Sequence, residues 1–310
     1  MPKVSVIIPN YNHASFLAER IDSVLNQTFQ DFELIILDDC SADNSQEIIE
    51  SYRKNPLVSH IVYNKQNSGS PFKQWEKGIS LAKSDWIWLA ESDDFADTQF
   101  LHQMIRFKEE NLIETGLIFC GSIYVDGRSQ VIDDSEAPQD MPKKAFGKDA
   151  LDLFMTQNCV PNASAVIFNK QAFHPFINAC TDFRLNGDWW LWSAISYTHG
   201  IHYLPEKLNS FRFHTHTARS KHSASGLNIL EYGKLIRLWM EKGWPSPDGL
   251  QKSIAFYHSL WIGSSSLTTK ASLGIFSLGR ELERKVFGKI RLFTNLLFIK
   301  SRLHVFFKNE

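Results

Sequence analysis

The strongest constraint on the fold is an alternation that runs through the first 125 residues. Short apolar runs follow one another at "KVSVIIP" (3–9), "FELIILDD" (32–39), "HIVYN" (60–64), "DWIWLAE" (85–91) and "GLIFCGSIYV" (116–125). Runs this short and this continuously apolar read as strands buried on both faces. The stretches between them have helical spacing. In 16–27 the apolar residues are Phe16, Leu17, Ile21, Val24 and Leu25, one stripe of a helix. Residues 41–54 begin with cap-type residues, and 70–83 and 98–111 continue the pattern. This β-α-β-α rhythm predicts an α/β fold, a doubly wound, mostly parallel sheet with flanking helices and right-handed crossovers.

In such sheets ligands bind beyond the carboxyl ends of the strands. Three polar clusters stand there: "PNYN" (9–12), "DDCSADNS" (38–45) and "ESDD" (91–94). The last belongs to "WIWLAESDDFAD", where a buried strand runs into Glu91, Asp93, Asp94 and Asp97. Carboxylates this close raise one another's pKa unless a cation sits among them. Carboxylates are also the hard oxygen donors that suit Mg²⁺ or Mn²⁺. The plain alternative is a solvated loop with capping acids, and Asp97, just before a helix, is assigned that role.

From about residue 126 the rhythm changes. Residues 126–148 are polar and turn-rich, 148–157 look helical, and 162–173 look like a strand and its exit. Residues 186–200 read as a capped helix ending at Gly200, 201–214 as a pair of strands, and the chain after about 225 as helical. The expected division is a domain over 1–222, in halves of about 1–125 and 126–222, followed by a helical extension over 223–310. With 43% hydrophobic and 22% charged residues the chain can bury a full core, and a formal net charge of −1 gives no reason to expect a nucleic-acid partner. The four cysteines are far apart, which fits reduced thiols rather than a zinc site. No run approaches the ~20 apolar residues of a membrane span, and the expectation is a cytoplasmic protein. G-x-G-x-x-G, P-loop and G-x-S-x-G motifs are missing, which weighs against nicotinamide enzymes, P-loop NTPases and α/β-hydrolases.

Each candidate site residue has a plain reading beside the chemical one. Pro9 sets the backbone at the first strand's end, Tyr11 can lie against a flat base, and Asp38 or Asp39 can accept from a base N–H or a ribose hydroxyl. Ordinary turn chemistry explains the same residues. In "NGDWW" (186–190), Asp188 is either a helix cap or a general base that takes a proton from an acceptor hydroxyl. Trp189 and Trp190 offer either a sugar platform or core. In "FRFHTHTARS" (211–220), His214 and His216 share one face of an extended chain, as ligands to metal or phosphate or as surface residues.

Taken in order, "VSVIIPNYN", "SVLNQTFQDFELIILDDCSADNS", "NSGSPFKQWEKGISLAKSDWIWLAESDD" and "NGDWWLW" resemble glycosyltransferase family 2 over residues 3–220. The resemblance implies a GT-A fold and transfer of a sugar, with inversion, from a nucleotide-diphospho-sugar (UDP- or GDP-linked) to a glycan or lipid-linked acceptor, as in bacterial surface polysaccharide or lipopolysaccharide synthesis. It implies that Pro9, Tyr11, Asp38 and Asp39 bind the nucleoside and that Lys73 lies on the donor side. Asp93 and Asp94 fill the D-x-D-type position that holds ribose and Mn²⁺ or Mg²⁺, and Asp188 matches the catalytic base with Trp189 beside it. His214 falls near a position that in some members helps bind pyrophosphate, beside its own reading as a metal ligand. Many members have Asp where this chain has Glu91, so the principal ligand among Glu91, Asp93 and Asp94 stays open. Competing readings are an inactive sugar-binding relative and a metal-dependent nucleotidyltransferase, although "PNYNHASF" lacks the Gly-rich basic loop of the latter.

The stretch 279–308 interleaves Arg280, Arg284, Lys285, Lys289, Arg291, Lys300, Arg302 and Lys308 with Leu, Ile and Phe. It reads either as an interfacial helix on the inner face of an anionic membrane or as a helix packed on protein.

Overall fold

Five mainly apolar runs leave water by pairing with one another in one sheet. The computed structural model describes residues 1–110, 115–133, 141–160, 162–214, 225–264 and 267–288. It divides into two compact units, Met1–Ala150 with Cys159–His214, and Leu151–Asn158 with the described residues from 225 onward.

Among the described residues the first unit holds ten strands: β1 Val4–Asn10, β2 Phe32–Asp38, β3 Val58–Tyr63, β4 Trp86–Leu89, β5 Phe95–Ala96, β6 Leu117–Val125, β7 Val131–Asp133, β8 Lys144–Ala145, β9 Val166–Asn169 and β10 Ile201–Arg212. In chain order the helices before β10 are α1 Ala14–Leu25, α2 Ser45–Ser51, α3 Pro71–Leu81, α4 Phe100–Glu110, α5 Gly147–Phe154 (whose residues from Leu151 belong to the second unit), α6 Lys170–Phe173, α7 Ile177–Thr181 and α8 Gly187–His199. The strand order is β3-β2-β1-β4-β9-β6-β10-β5, with β7 on β6 and β8 on β10. The β3-β2-β1-β4 half is entirely parallel, as the alternation predicts. Every residue of β1 and β2 is buried. Val4, Val6 and Ile8 pack with Leu17, Ile21 and Val24 of α1 in the main core. That packing is why the helix keeps its stripe.

The second half is mixed. β9 runs antiparallel to both β4 and β6, and β10 returns parallel to β6. Residues 201–214 are not the expected pair of strands. β10 is one long strand whose register shifts between Leu204 and Lys207 and again before Asn209. Pro205 lies in the first shift. A proline has no N–H to give to a ladder, so a bulge is where a strand tolerates it, and the strand continues. β10 then pairs with β5, Asn209 beside Ala96 and Ser210 beside Phe95. That short pairing draws the end of β10 alongside the acidic loop.

The second unit contains helices Leu227–Glu241, Pro247–Gly263 and Thr269–Phe287. Its core includes Tyr232, Leu235, Trp239, Tyr257, Ile275 and Leu282. Met155 belongs here because its carbonyl accepts from the hydroxyls of Tyr232 and Ser253. Of the basic stretch 279–308, Gly279, Leu282 and Glu283 are buried within the last helix, and residues 289–308 lie outside the described residues. Among the described residues no helix is long and apolar enough to cross a membrane.

Candidate active site

The carboxyl ends of β1, β2 and β4 meet on one edge of the first unit. At the end of β1, the Asn10 amide donates to Asp38 Oδ1 at 2.9 Å and to Ser41 Oγ at 3.2 Å. Asn12 has φ +56°, a left-handed turn that asparagine tolerates. Its N–H reaches Ser41 Oγ at 2.9 Å, and its Oδ1 accepts from Ala42 N–H at 2.7 Å. The two loops therefore stitch to each other. Asp38 also accepts from Ser41 N–H at 3.0 Å. Asp39 is more heavily engaged. It accepts from Asn64 at 2.6 Å, Gln74 at 2.9 Å, Ser68 N–H at 2.9 Å and Ser68 Oγ at 2.7 Å. Both carboxylates are buried. Pro9 is buried within β1, while Tyr11 projects outward at 44% exposure. Lys73, on the exposed side of α3, reaches Ser68 O at 3.4 Å.

The acidic loop after β4 answers its own repulsion largely from within the chain. Arg20 stands on the buried face of α1, fully enclosed. Its Nε donates to Glu91 O at 2.8 Å, and its guanidinium lies 5.6 Å from the Trp88 ring centroid. Its two terminal nitrogens have no hydrogen-bond partner among the described residues. Burial lowers its pKa to about 10, against the pull of Asp94, Asp93 and Glu91. Arg212 is the second resident cation. It donates through Nε to Asp93 O at 2.7 Å, and its backbone N–H donates to Asp94 Oδ1 at 2.9 Å.

The three acids then take different roles. Asp94 is 2% exposed, and its other oxygen accepts from Asn162 at 2.8 Å and Ser164 Oγ at 2.7 Å. Burial and the neighbouring Asp93 raise its pKa to about 6. Glu91 accepts from Trp75 Nε1 at 2.7 Å, and burial, then Asp93, pushes its pKa up to about 8. Asp93 behaves oppositely. Burial opposes its ionisation, but the His214 hydrogen bond and the charges of His13 and His214 prevail, and its pKa stays below the usual range. His214 Nε2 lies 2.9 Å from Asp93 Oδ2, and the His13 and His214 rings meet edge to face at 5.5 Å.

His13, Asp93 and His214 each offer a ligand atom, and these atoms lie within 4.8 Å of one another. His13 Nδ1 is 2.8 Å from Ser92 Oγ, a partner that orients the ring. Adjacent ligands of an ion bonded at about 2.1 Å stand about 3 Å apart, as the Asp93 and His214 atoms do. A carboxylate with two imidazoles suits Mn²⁺ better than Mg²⁺, which prefers an all-oxygen shell. The residues present thus fit a divalent cation.

Asp188 occupies the second position of α8, after an N-cap at Asn186, so it is not the cap itself. Its Oδ1 accepts from Trp189 N–H at 2.7 Å, and both residues are half-buried. Gly187 is required because a Cβ there would stand 2.7 Å from the Phe72 ring. Trp192, one turn on and on the Asp188 face, stacks on Trp75 at 6.0 Å, and Trp75 is the residue that donates to Glu91. Trp190 is core. His216 lies outside the described residues.

Sequence reasoning missed His13, Arg20, Arg212, Asn162 and Ser164 as parts of this site. Arg20 had a readable signal, since a lone charge between Leu17, Ile21 and Val24 sits on a buried helix face. His13 follows directly on "PNYN". Asn162 and Ser164 had none, because only the antiparallel insertion of β9 brings their segment beside β4.

Residues 5–155 match the family described as "Glycosyl transferase family 2". The chain is 34% identical over 111 residues to a poly(ribitol-phosphate) beta-glucosyltransferase of Bacillus spizizenii, a match covering 35% of this chain and 18% of that protein. The fold matches the crystal structure of Staphylococcus aureus TarS 1–349 in complex with UDP, with TM-score 0.69 and 16% identity, covering 98% of this chain and 89% of that one. It also matches the mannosyltransferase PcManGT of Pyrobaculum calidifontis in complex with GDP-Man and Mn²⁺, with TM-score 0.56 and 11% identity over 98% of this chain and 81% of that one. These likenesses establish the GT-A fold.

Proposed function

Residues 5–155 belong to glycosyltransferase family 2, and on that premise we propose that the chain moves a sugar, with inversion, from a nucleotide-diphospho-sugar to a hydroxyl of a glycan or lipid-linked acceptor of a cell-surface polymer. The observation that carries this reading is the grouping of His13, Asp93 and His214 at the carboxyl ends of the parallel strands. The UDP- and GDP-mannose-bound neighbours support a UDP- or GDP-linked donor.

Asp93, His13 and His214 would hold Mn²⁺, or less readily Mg²⁺. When bound, such an ion stabilises the charge that develops on the departing pyrophosphate. The remaining work belongs to the chain. The β1 and β2 loops, locked together through Asn10, Asn12 and Ser41, form the floor for the nucleoside beside the exposed Tyr11. Asp39 fixes 64–74 onto that floor, which sets where Lys73 stands. Asp94, held at both oxygens, acts as the anchor of the loop rather than as its reacting acid.

Asp188 is the general base. It stands on the α8 face that leads through Trp192 and Trp75 to Glu91. It accepts the acceptor hydroxyl proton as the new C–O bond forms, while the anomeric C–O(phosphate) bond breaks and the nucleoside diphosphate leaves with the electron pair. The two bonds lie on opposite faces of the sugar, so the product is inverted.

Asp188→Asn tests this. Transfer should fall about 10²–10⁴-fold, while a nucleoside diphosphate with Mn²⁺ should still raise the melting temperature as in the parent protein. Loss of the nucleotide-dependent shift in that variant would make Asp188 structural. A parent protein that no nucleotide stabilises, with or without Mn²⁺, would refute the donor reading.

A further inference from the structure

Arg212 is almost completely buried, at 1% exposure, yet it contacts the acidic loop, β5, α1 and the β6–β7 turn. Its Nε donates to Asp93 O at 2.7 Å, and Nη1 donates to Asp126 O and Ser129 Oγ, both at 3.0 Å. Nη2 pairs with Glu19 Oε2 of α1 at 2.5 Å. The guanidinium carbon lies 4.7 Å from the Phe16 ring centroid and 5.4 Å from that of Phe95. Its backbone N–H holds Asp94. His214, two residues on, stands over Phe16 at 5.0 Å and reaches Asp93.

We propose that Arg212 is the positioning residue for the His13–Asp93–His214 group, setting the separation of the Asp93 carboxylate and the His214 imidazole by locking the end of β10 to the acidic loop, to α1 and to the β6–β7 turn. The proposal rests on reading those three residues as a divalent-cation site. The fork of a guanidinium is what the geometry uses. One planar group serves four acceptors in three directions and lies between two rings, and an ammonium cannot do this. Asp93 precedes β5 and His214 follows β10, and the β5–β10 pairing stops at Phe95 and Ser210, so the ladder brings the two segments together but holds neither side chain.

Charge and position predict opposite signs here, which makes the test sharp. Removing a buried cation beside a cation site should tighten Mn²⁺ binding by simple electrostatics. Loss of positioning should weaken it. The experiment is Mn²⁺ titration of the full chain without nucleotide, followed by electron paramagnetic resonance of the free ion, with the ¹⁴N couplings of bound imidazole read on the same samples. Arg212→Lys keeps the charge and loses the fork. Its Mn²⁺ affinity should fall about 10–100-fold, the usual cost of an outer-shell support, with weakened imidazole coupling. Arg212→Met should bind Mn²⁺ more weakly too, despite the lost positive charge. Ser129→Gly removes one acceptor of the fork without changing charge, and glycine accepts the φ of +60° found there. It should show a smaller loss in the same direction, and it carries the test if the arginine variants do not fold. Asp97→Ala is the structural control. It deletes a bond to Gln99 N–H in the same loop, and it should lower the melting temperature yet leave Mn²⁺ affinity at the parent value.

Folded Arg212→Lys and Ser129→Gly proteins with parent affinity and parent imidazole coupling would overturn the proposal while leaving the cation site standing. An equal loss of affinity in Asp97→Ala would overturn it as well. A parent protein that binds no Mn²⁺ would overturn the cation reading itself, and the role of Arg212 with it.

Discussion

At the tip of β2, Asp38 and Asp39 face neutral donors; at the tip of β4, Glu91, Asp93 and Asp94 face two arginines, two histidines and each other. Both tips begin as adjacent acids behind a buried strand, so locally they look alike. Asp39 receives amide, hydroxyl and backbone N–H groups from 64, 68 and 74, which tie down a loop. At β4 the donors are too few for three carboxylates. Asp94 takes two side-chain donors and one backbone N–H, Glu91 takes one indole, and Asp93 is left to the histidines. Proton affinity then divides, with Glu91 and Asp94 raised and Asp93 lowered. A crowded set of acids specialises when the supply of donors is uneven. Arg20 and Arg212 account for much of the tolerance that a bound metal alone would otherwise have to supply.

The comparison breaks first at Asp93. Asp93→Asn keeps the shape and removes the one acid held ionised. Mn²⁺ affinity should fall more than the about 10–100-fold typical of an outer-shell change, and transfer should fall with it. Isothermal titration of Mn²⁺ into the full chain checks this, and parent-like affinity would move the ligand role to Asp94 or Glu91. The matching change at β2, Asp39→Asn, turns acceptors into donors facing Asn64, Gln74 and Ser68. It should cost about 1–3 kcal/mol of stability, read from urea midpoints. An unchanged midpoint would show that Asp39 is free to serve a ligand instead.

The third effect is smaller and concerns pH. The folded protein holds a proton on Glu91 up to about pH 8, whereas the unfolded chain releases it near 4.5. Below about 4.5 the stabilising contribution is fully present, and it declines as pH rises through 8, because the unfolded state binds fewer protons in that window. Asp94 acts in the same direction up to about 6. Stability should therefore fall with rising pH between 5 and 8 by at most about 1.4 kcal/mol per pH unit from Glu91. Glu91→Gln should flatten that slope. Identical slopes in urea series at pH 6, 7, 8 and 9 would mean that Glu91 is already ionised at pH 6.

Much of this was legible in the chain. Strands and helices of the first 125 residues stand close to where periodicity puts them, because a run such as Val4–Ile8 has no other way to leave water. Asp97 Oδ1 accepts from Gln99 N–H just ahead of α4. The failures have one cause. Residues 201–214 read as two strands, and only pairing with β6 shows one ladder resuming beyond a bulge at Pro205. Asn162 and Ser164 carry no local mark of their contact with Asp94, some 70 residues away in sequence.

By itself the sequence determined that the sheet forms, that its parallel half presents three polar tips on one edge, and that Asp93, Asp94 and His214 are available near one another in type if not yet in place. Local periodicity and turn chemistry suffice for that, since each element buries its own stripe. Only the tertiary structure decided which acid stays charged, that His13 completes the group, and that Arg20 and Arg212 stand behind it. Those outcomes depend on donors and charges arriving from β9, β10 and α1, and the energy of a carboxylate in a buried site is set by what surrounds it rather than by its neighbours in the chain.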